Sequence, residues 1–387
     1  MRRMTVLIGC LLALTFGSGA LAVQNPPTLS AEAAILVDAD TGRVLYAQNE
    51  HEQRSIASIT KLMTALLAAE HWDDLSKLVE IQPAWTGAEG SSMYLEAGEE
   101  VTREELLYGL LLSSGNDAAI AIASSCAGDV DTFVAWMNER AQELGMTDTH
   151  FANPNGLDEE GHYSTAYDMS LLAMECMKNE TISQIVATKS ITIGTRSFVN
   201  HNKLLWRYEG CIGMKTGYTE AAGRTLITCA EQDGQRLIVV TLKDSNDWVD
   251  HAKLYEYGFS KWKTQSFCDT DESVCSIPVT NSLVRFTNVV PTEDFSYPLA
   301  EDENMTYELS LPDSVEAPVL AGAEAGSITF YLNGTKVKEI TLIYQNSVHK
   351  EVFTDKSLLQ HILDLFRSEK TSVLAAKLLE LELPSVS

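Results

Sequence analysis

Positive charge is scarce in this sequence. Its 387 residues hold 28 Lys and Arg against 54 Asp and Glu, a formal net charge of −26. Nucleic-acid binding wants a basic face, and charge-driven attraction to anionic lipid wants basic clusters, so the balance argues against both and no nucleic-acid partner is expected. Cysteine is also sparse, with seven in the chain and no Cys-x-x-Cys, so a structural zinc site is not expected. Cys268 and Cys275 lie close enough to pair as a disulfide in an oxidising compartment, and the remaining cysteines of the mature chain suit buried thiols. No run after the first residues is long and apolar enough to span a bilayer. Repeats and low-complexity tracts are missing too. What remains, 45% hydrophobic and 21% charged, is ordinary globular composition, enough for two or three domains with a large core.

The first residues have another use. Arg2 and Arg3, the apolar run from Met4 to Phe16 and the small residues Ala20-Leu21-Ala22 form a secretory signal over residues 1–22. This places the mature protein outside the cytoplasm. Residues 23–30 read as a linker. Ala34–Val37 and Arg43–Ala47, joined by Asp38-Ala39-Asp40-Thr41-Gly42, read as a β-hairpin. Helices follow: one after Ser58, one opened by the capping box Thr102-Arg103-Glu104-Glu105, an alanine-rich one from Asp117, and others over 131–144 and 167–178. Strands return at 189–193, 224–229 and 236–242, then a helix over 249–259. Strands early, helices in the middle and strands late suit an α+β catalytic domain over 31–261, an antiparallel sheet covered by helices whose first and last strands pair. From 262 to 345 short β-rich runs, among them Leu283–Val289, make a second, all-β domain. The tail, 346–387, is amphipathic. Leu358, Leu359, Ile362, Leu363 and Phe366 fall on one helical face, which suits a helix lying on a membrane surface.

The chemistry gathers around Ser55–Ala69. Ile59, Leu62, Met63, Leu66 and Leu67 recur with the period of a buried helix stripe, and Ser58 and Lys61 share one face of its first turn. A hydroxyl beside a desolvated, neutral amine is a nucleophile and its base. Ser-x-x-Lys alone is weak, expected about once or twice by chance in a chain this long, and Ser260 with Lys263 and Ser347 with Lys350 also fit it. Two further elements separate Ser58 from those. Ser114-Gly115-Asn116 falls between two helices, and Lys215-Thr216-Gly217 leads into the strand at 224–229. The order Ser-x-x-Lys, Ser-x-Asn, Lys-Thr-Gly is the signature shared by serine β-lactamases and penicillin-binding proteins.

With these residues in place the sequence resembles the serine-type D-alanyl-D-alanine carboxypeptidases, the low-molecular-weight penicillin-binding proteins, and within them the sporulation-associated Gram-positive branch. The resemblance covers about residues 31–345 and includes Gly90–Leu95, Asn153-Pro154-Asn155-Gly156-Leu157, His162–Ala166 and Asn200–Leu205. It implies a β-lactamase/transpeptidase-like fold, peptidoglycan stem peptides as substrate, β-lactams as covalent inhibitors and no cofactor. It also implies the roles. Ser58 attacks, Lys61 takes its proton, and Ser114 passes a proton to the departing D-alanine. Asn116 holds the substrate amide, Lys215 and Thr216 face its terminal carboxylate, Gly217 lets it lie along the strand, and Ser58 and Tyr218 N–H groups form the oxyanion hole. Lys203 is the candidate second cation for that carboxylate. Ile212-Gly213 stands where the family often has Asp-Gly. His162 and His201 are superfluous as bases beside Lys61 and read as structural. Cross-link endopeptidase activity, or a non-catalytic peptidoglycan- or penicillin-binding role, would use the same residues. A β-lactamase of class A would need a dedicated glutamate that no segment clearly supplies.

Overall fold

In the computed structural model, which describes residues 25–350, the six residues of β1 (Ala33–Asp38) are buried on both faces, as a strand inside a covered sheet must be. The Asp38 carboxylate accepts hydrogen bonds from the Thr41 N–H (3.0 Å) and hydroxyl (2.7 Å), closing the turn that returns the chain as β2 (Val44–Gln48). Next comes α1 (Lys61–His71), buried from Lys61 through Ala68. A helix buried on all sides belongs in the middle of a helical layer. A short ribbon of β3 (Leu78–Glu80) and β4 (Glu100–Thr102) leads to α2 (Arg103–Leu111), where Thr102 Oγ1 accepts from the Glu105 N–H at 3.1 Å, the expected cap. Then follow α3 (Asn116–Ala127), α4 (Val130–Glu143), α5 (Ala166–Lys178) and α6 (Glu180–Ala187), the last three capped by Asp129, Thr165 and Asn179. A β5 (Ser190–Ile193) and β6 (Arg196–Val199) hairpin and the single turn α7 (Leu204–Arg207) precede β7 (Cys211–Thr219), β8 (Gly223–Gln232), β9 (Gln235–Leu242) and α8 (Asp247–Lys261).

The sheet order is β2-β1-β9-β8-β7, antiparallel throughout. As expected from the sequence, an early strand pairs with a late one, Ala33 opposite Leu242 through Asp38 opposite Leu237. Period-two alternation then sorts the side chains. Ile35, Val37, Ile238 and Val240 face the helical layer with Leu62, Leu66, Ile122 and Phe133. Leu36, Leu237 and Val239 face Leu254 and Tyr255 of α8. Lys215-Thr216-Gly217 does not lead into the 224–229 strand. It lies inside a strand of its own, β7, at one edge of the sheet.

The described residues form two compact units. The larger runs to Gln265 and takes back Tyr297–Asp302, and the smaller is Ser266–Ser296 with the chain from Glu303 onward. The chain leaves the larger unit within β10 (Lys263–Cys268) and comes back within β13 (Phe295–Leu299). The smaller unit is all-β. Its six-stranded sheet has the order β14-β16-β17-β12-β11-β15, from β11 (Cys275–Thr280), β12 (Phe286–Pro291), β14 (Met305–Ser310), β15 (Val315–Glu316), β16 (Glu324–Leu332) and β17 (Thr335–Tyr344). Two expectations change here. Leu283 and Val284 precede β12 and stand exposed at a hairpin tip. Cys268 and Cys275 are free thiols. The turn between them is closed by Asp269 instead, whose carbonyl accepts from the Glu272 N–H (3.0 Å) and whose carboxylate accepts from the Asp271 N–H (2.8 Å). The leader over 1–22 and the amphipathic helix expected over 355–383 lie outside the described residues.

Candidate active site

Ser58 sits in a single 3₁₀ turn, Ala57–Thr60, and α1 begins only at Lys61. The turn is tighter than the α-helical start expected from periodicity, and it holds Ala57 at φ +51°, a region costly for a residue with a Cβ. One hydrogen bond within the turn and three contacts from distant segments hold it. The Thr60 hydroxyl donates to Ala57 O at 2.8 Å, and His162 Nε2 lies 2.8 Å from Thr60 Oγ1. His162 Nδ1 accepts from the Ala152 N–H at 3.0 Å, so the neutral ring carries its proton on Nε2 and donates it to Thr60. Burial keeps the ring neutral, pulling its pKa down to about 4. At Gly156 a Cβ would lie 2.0 Å from Ala57 O, so only glycine lets the two backbones meet. From the sheet, the Thr225 hydroxyl donates to Ile56 O at 2.9 Å.

Lys61 is fully buried. Its Nζ lies 2.9 Å from Ser58 Oγ, 2.7 Å from Asn116 Oδ1 and 2.5 Å from Asn155 O. Burial pushes its pKa well below the usual lysine value, and the neighbouring Lys215 cation pushes it further, against a smaller pull from Asp117. The amine is thus both aimed at the serine and inclined to be neutral.

The α2–α3 junction brings the second element. Ser114 is buried at φ +60° between the helices, and Gly115 leaves room that a Cβ would take from Asp117 Oδ1 (2.8 Å) and Met93 N (3.2 Å). Asp117 gathers the 92–95 loop onto the start of α3, accepting from the Ser92 hydroxyl (2.6 Å) and from the N–H groups of Met93 (3.0 Å) and Leu95 (3.1 Å). Asn116 is held from both ends of its amide, Oδ1 by Lys61 and Nδ2 by Glu89 O at 2.5 Å.

The third element comes from β7. Lys215 is buried, and its Nζ donates to Ser114 Oγ at 3.0 Å and to Thr216 O at 2.8 Å. Burial lowers its pKa to about 7. Gly217 lies so close to the nucleophile turn that a Cβ would stand 2.9 Å from Ser58 N and 2.4 Å from Thr225 Oγ1. Behind it, Ile212 packs on the core and Cys211 Sγ lies 3.3 Å from Gly213 O. All three sequence motifs therefore converge on one place.

They open on a cleft of about 330 Å³ lined by Ser58, Ser114, Thr216, Gly217, Tyr218 and Lys203, together with Ser91, His201, Arg224, Asp247 and Trp248. Lys61, Asn116 and Lys215 stand behind this surface. Sequence reasoning missed Arg224 and its partners. The guanidinium is held side-on by Asp247 (Nε to Oδ2 3.0 Å, Nη2 to Oδ1 2.9 Å) and lies 5.4 Å from the Trp248 ring centre. Its pairing with Asp247, 23 residues away at the start of α8, is a tertiary fact that no local pattern announces. A second cleft of about 450 Å³ around His71, Trp136 and Arg140 is larger. It holds no nucleophile, and Arg140 is occupied there by Glu70, Glu143 and Glu175. Among the described residues no group of His, Cys, Asp and Glu is arranged to hold a metal ion.

Residues 20–246 match the D-alanyl-D-alanine carboxypeptidase family, peptidase S11, and residues 262–350 match the penicillin-binding protein 5 C-terminal domain. The chain belongs to the D-alanyl-D-alanine carboxypeptidase family. It is 34% identical to the D-alanyl-D-alanine carboxypeptidase DacF of Bacillus subtilis over 90% of this chain and 95% of that protein. It is 36% identical to the carboxypeptidase DacB2 of Mycobacterium tuberculosis over 63% of this chain and 86% of that one. Among solved structures, penicillin binding protein 5 from Haemophilus influenzae superposes with a TM-score of 0.73 at 26% identity, covering 84% of this chain and all of that one. The family is one of serine hydrolases, and the helix-covered sheet followed by a β domain is its fold.

Proposed function

We propose that the protein removes the terminal D-alanine from peptidoglycan stem peptides through an acyl-enzyme on Ser58. The observation that carries this is the desolvated Lys61 amine 2.9 Å from Ser58 Oγ. Neutral Lys61 takes the Ser58 proton as Oγ attacks the carbonyl between the two D-alanines. The N–H groups of Ser58 and Tyr218 hold the resulting oxyanion, where losing one donor typically costs about 100- to 1,000-fold. As the C–N bond breaks, the proton that Lys61 took is relayed through Ser114, hydrogen-bonded to Lys215, to the departing amine, which leaves Lys61 neutral again. Water then attacks the ester and frees Ser58. The edge position of β7 supports a substrate lying antiparallel along it as an added strand, with Asn116 on its amide. Penicillin enters the same path and stops at the acyl stage. The predicted leader supports an extracytoplasmic site of action, and the amphipathic tail supports contact with the membrane surface.

The test is the intact mass of the protein minutes and hours after benzylpenicillin is added, with D-alanine release measured on a D-Ala-D-Ala-ending peptide. A lasting adduct on Ser58 together with release is expected. Absence of any adduct sinks the proposal, and rapid drug hydrolysis would make the protein a β-lactamase.

Two cations on the cleft wall compete for the substrate's terminal carboxylate beside Lys215 and Thr216. Lys203 is exposed. Arg224 is fixed by Asp247, so less side-chain freedom is lost when it binds. Arg224→Gln is expected to raise KM about tenfold, the scale of a partly exposed charge-assisted hydrogen bond, and Lys203→Gln is expected to raise it less. A larger effect at Lys203 would move the carboxylate to the α7 side.

A further inference from the structure

The β11–β12 hairpin ends in a tip the sheet does not use. Leu283, Val284 and Phe286 are 72, 51 and 58% exposed there, with Arg285 exposed between them. Leu320, 68% exposed, stands near the point where the described chain ends. Val319 next to it pairs with Val348 through N–O contacts of 2.8 and 2.9 Å, and the Ala321 N–H donates to Ser347 Oγ at 3.0 Å. The Glu316 carboxylate joins the two places, accepting from Asn281 at the base of the tip (2.8 Å) and from Lys350 (3.2 Å). Tip, Leu320 and outgoing chain therefore share one end of the β unit.

A hairpin tip has no packing reason to be apolar, since turns favour Gly, Asn, Asp and Ser. Clustered exposed apolar side chains mark an interaction surface. The sequence that leaves from this end, 351–387, carries the amphipathic Leu358, Leu359, Ile362, Leu363 and Phe366. We infer that the Leu283-Val284-Arg285-Phe286 tip inserts into the interface of a lipid bilayer as a second contact beside the tail. This deepens the membrane reading of the tail given above. A net charge of −26 makes the attachment apolar rather than electrostatic, with Arg285 keeping its head among the lipid headgroups while its stem lies along apolar surface. Two weak contacts on one end combine, because the first raises the effective concentration of the second.

The test uses the full chain and phosphatidylcholine vesicles, comparing Leu283→Asp/Phe286→Asp with the unaltered protein and with Leu359→Asp/Leu363→Asp in the tail. The tip variant is expected to lower partitioning about tenfold or more, at low and at high salt, while D-alanine release from a soluble peptide stays unchanged. Phe286→Trp, which keeps the tip apolar, is expected to show blue-shifted fluorescence when vesicles are added. Partitioning of the tip variant equal to the unaltered protein overturns the inference, and if the tail variant alone loses binding, the tail reading stands without it. No partitioning of the unaltered chain overturns both. A tip variant that turns a dimer into a monomer without changing partitioning makes the tip a self-association face and overturns the lipid assignment.

Discussion

Ser58→Ala is expected to leave no penicillin adduct and to cut D-alanine release at least about 10⁴-fold, the scale seen when a serine nucleophile is removed. Nothing else in the site can take over. The other motif serine, Ser114, is hydrogen-bonded to Lys215. The substitution removes one oxygen at a half-buried position and leaves the turn's own supports, Thr60 to Ala57 and Thr225 to Ile56, in place. Circular dichroism and the melting temperature should therefore match the unaltered protein. Unchanged D-alanine release from this variant would overturn the whole assignment.

Lys61→Met, which keeps the length and apolar bulk of the side chain, is expected to lower acylation by about 10²- to 10⁴-fold, the range of general-base contributions. Its pH dependence gives the more specific reading. Lys61 must be neutral to accept the serine proton, so kcat/KM should rise with pH through its lowered pKa. Lys215 must be charged to face a carboxylate, so kcat/KM should fall as pH passes about 7, where Lys215 loses its proton in the free protein. The Lys215 cation lowers Lys61, so the state with both amines charged is disfavoured and the pair of neutral Lys61 beside charged Lys215 gains population. In Lys61→Met the rising limb should vanish while the falling limb stays. A rising limb that survives would assign the base to another residue.

The parts of this architecture legible in the sequence are those that local patterns determine. The apolar stripe from Ile59 to Leu67 specifies a buried helix, Thr102 and Glu105 specify a cap, and the aliphatic runs at 34–37 and 236–242 specify strands. Ser58, Lys61, Ser114, Asn116 and Lys215 were readable because three short motifs stand together in the order of a known signature, although their flanks placed the Ser58 turn and the Lys215 strand differently from the structure. Features created between distant segments were not. The 3₁₀ turn at Ala57 exists because Gly156, His162 and Thr225 meet it from elsewhere in the chain. Arg224 looked like the start of a strand until Asp247 fixed it at the cleft wall. Sequence proximity suggested a bridge between Cys268 and Cys275, but both are free thiols, and Asp269 closes that turn through its carbonyl and its carboxylate. The Leu283–Val289 run read as continuous strand because hydrophobicity alone cannot distinguish a packed strand from an apolar tip.

The burial of Lys61 and Lys215 has a consequence for the timing of work in the catalytic cycle. In many enzymes water is expelled from the reacting groups only when substrate arrives and a lid closes. Here both amines are already buried before a substrate binds, with 0% and 1% of their surface exposed. Their desolvation is an uphill part of folding, set against the burial of the helical and sheet cores around them. The base meets each new peptide already stripped of its hydration shell, so no binding energy from the peptide need be diverted to dehydrating it.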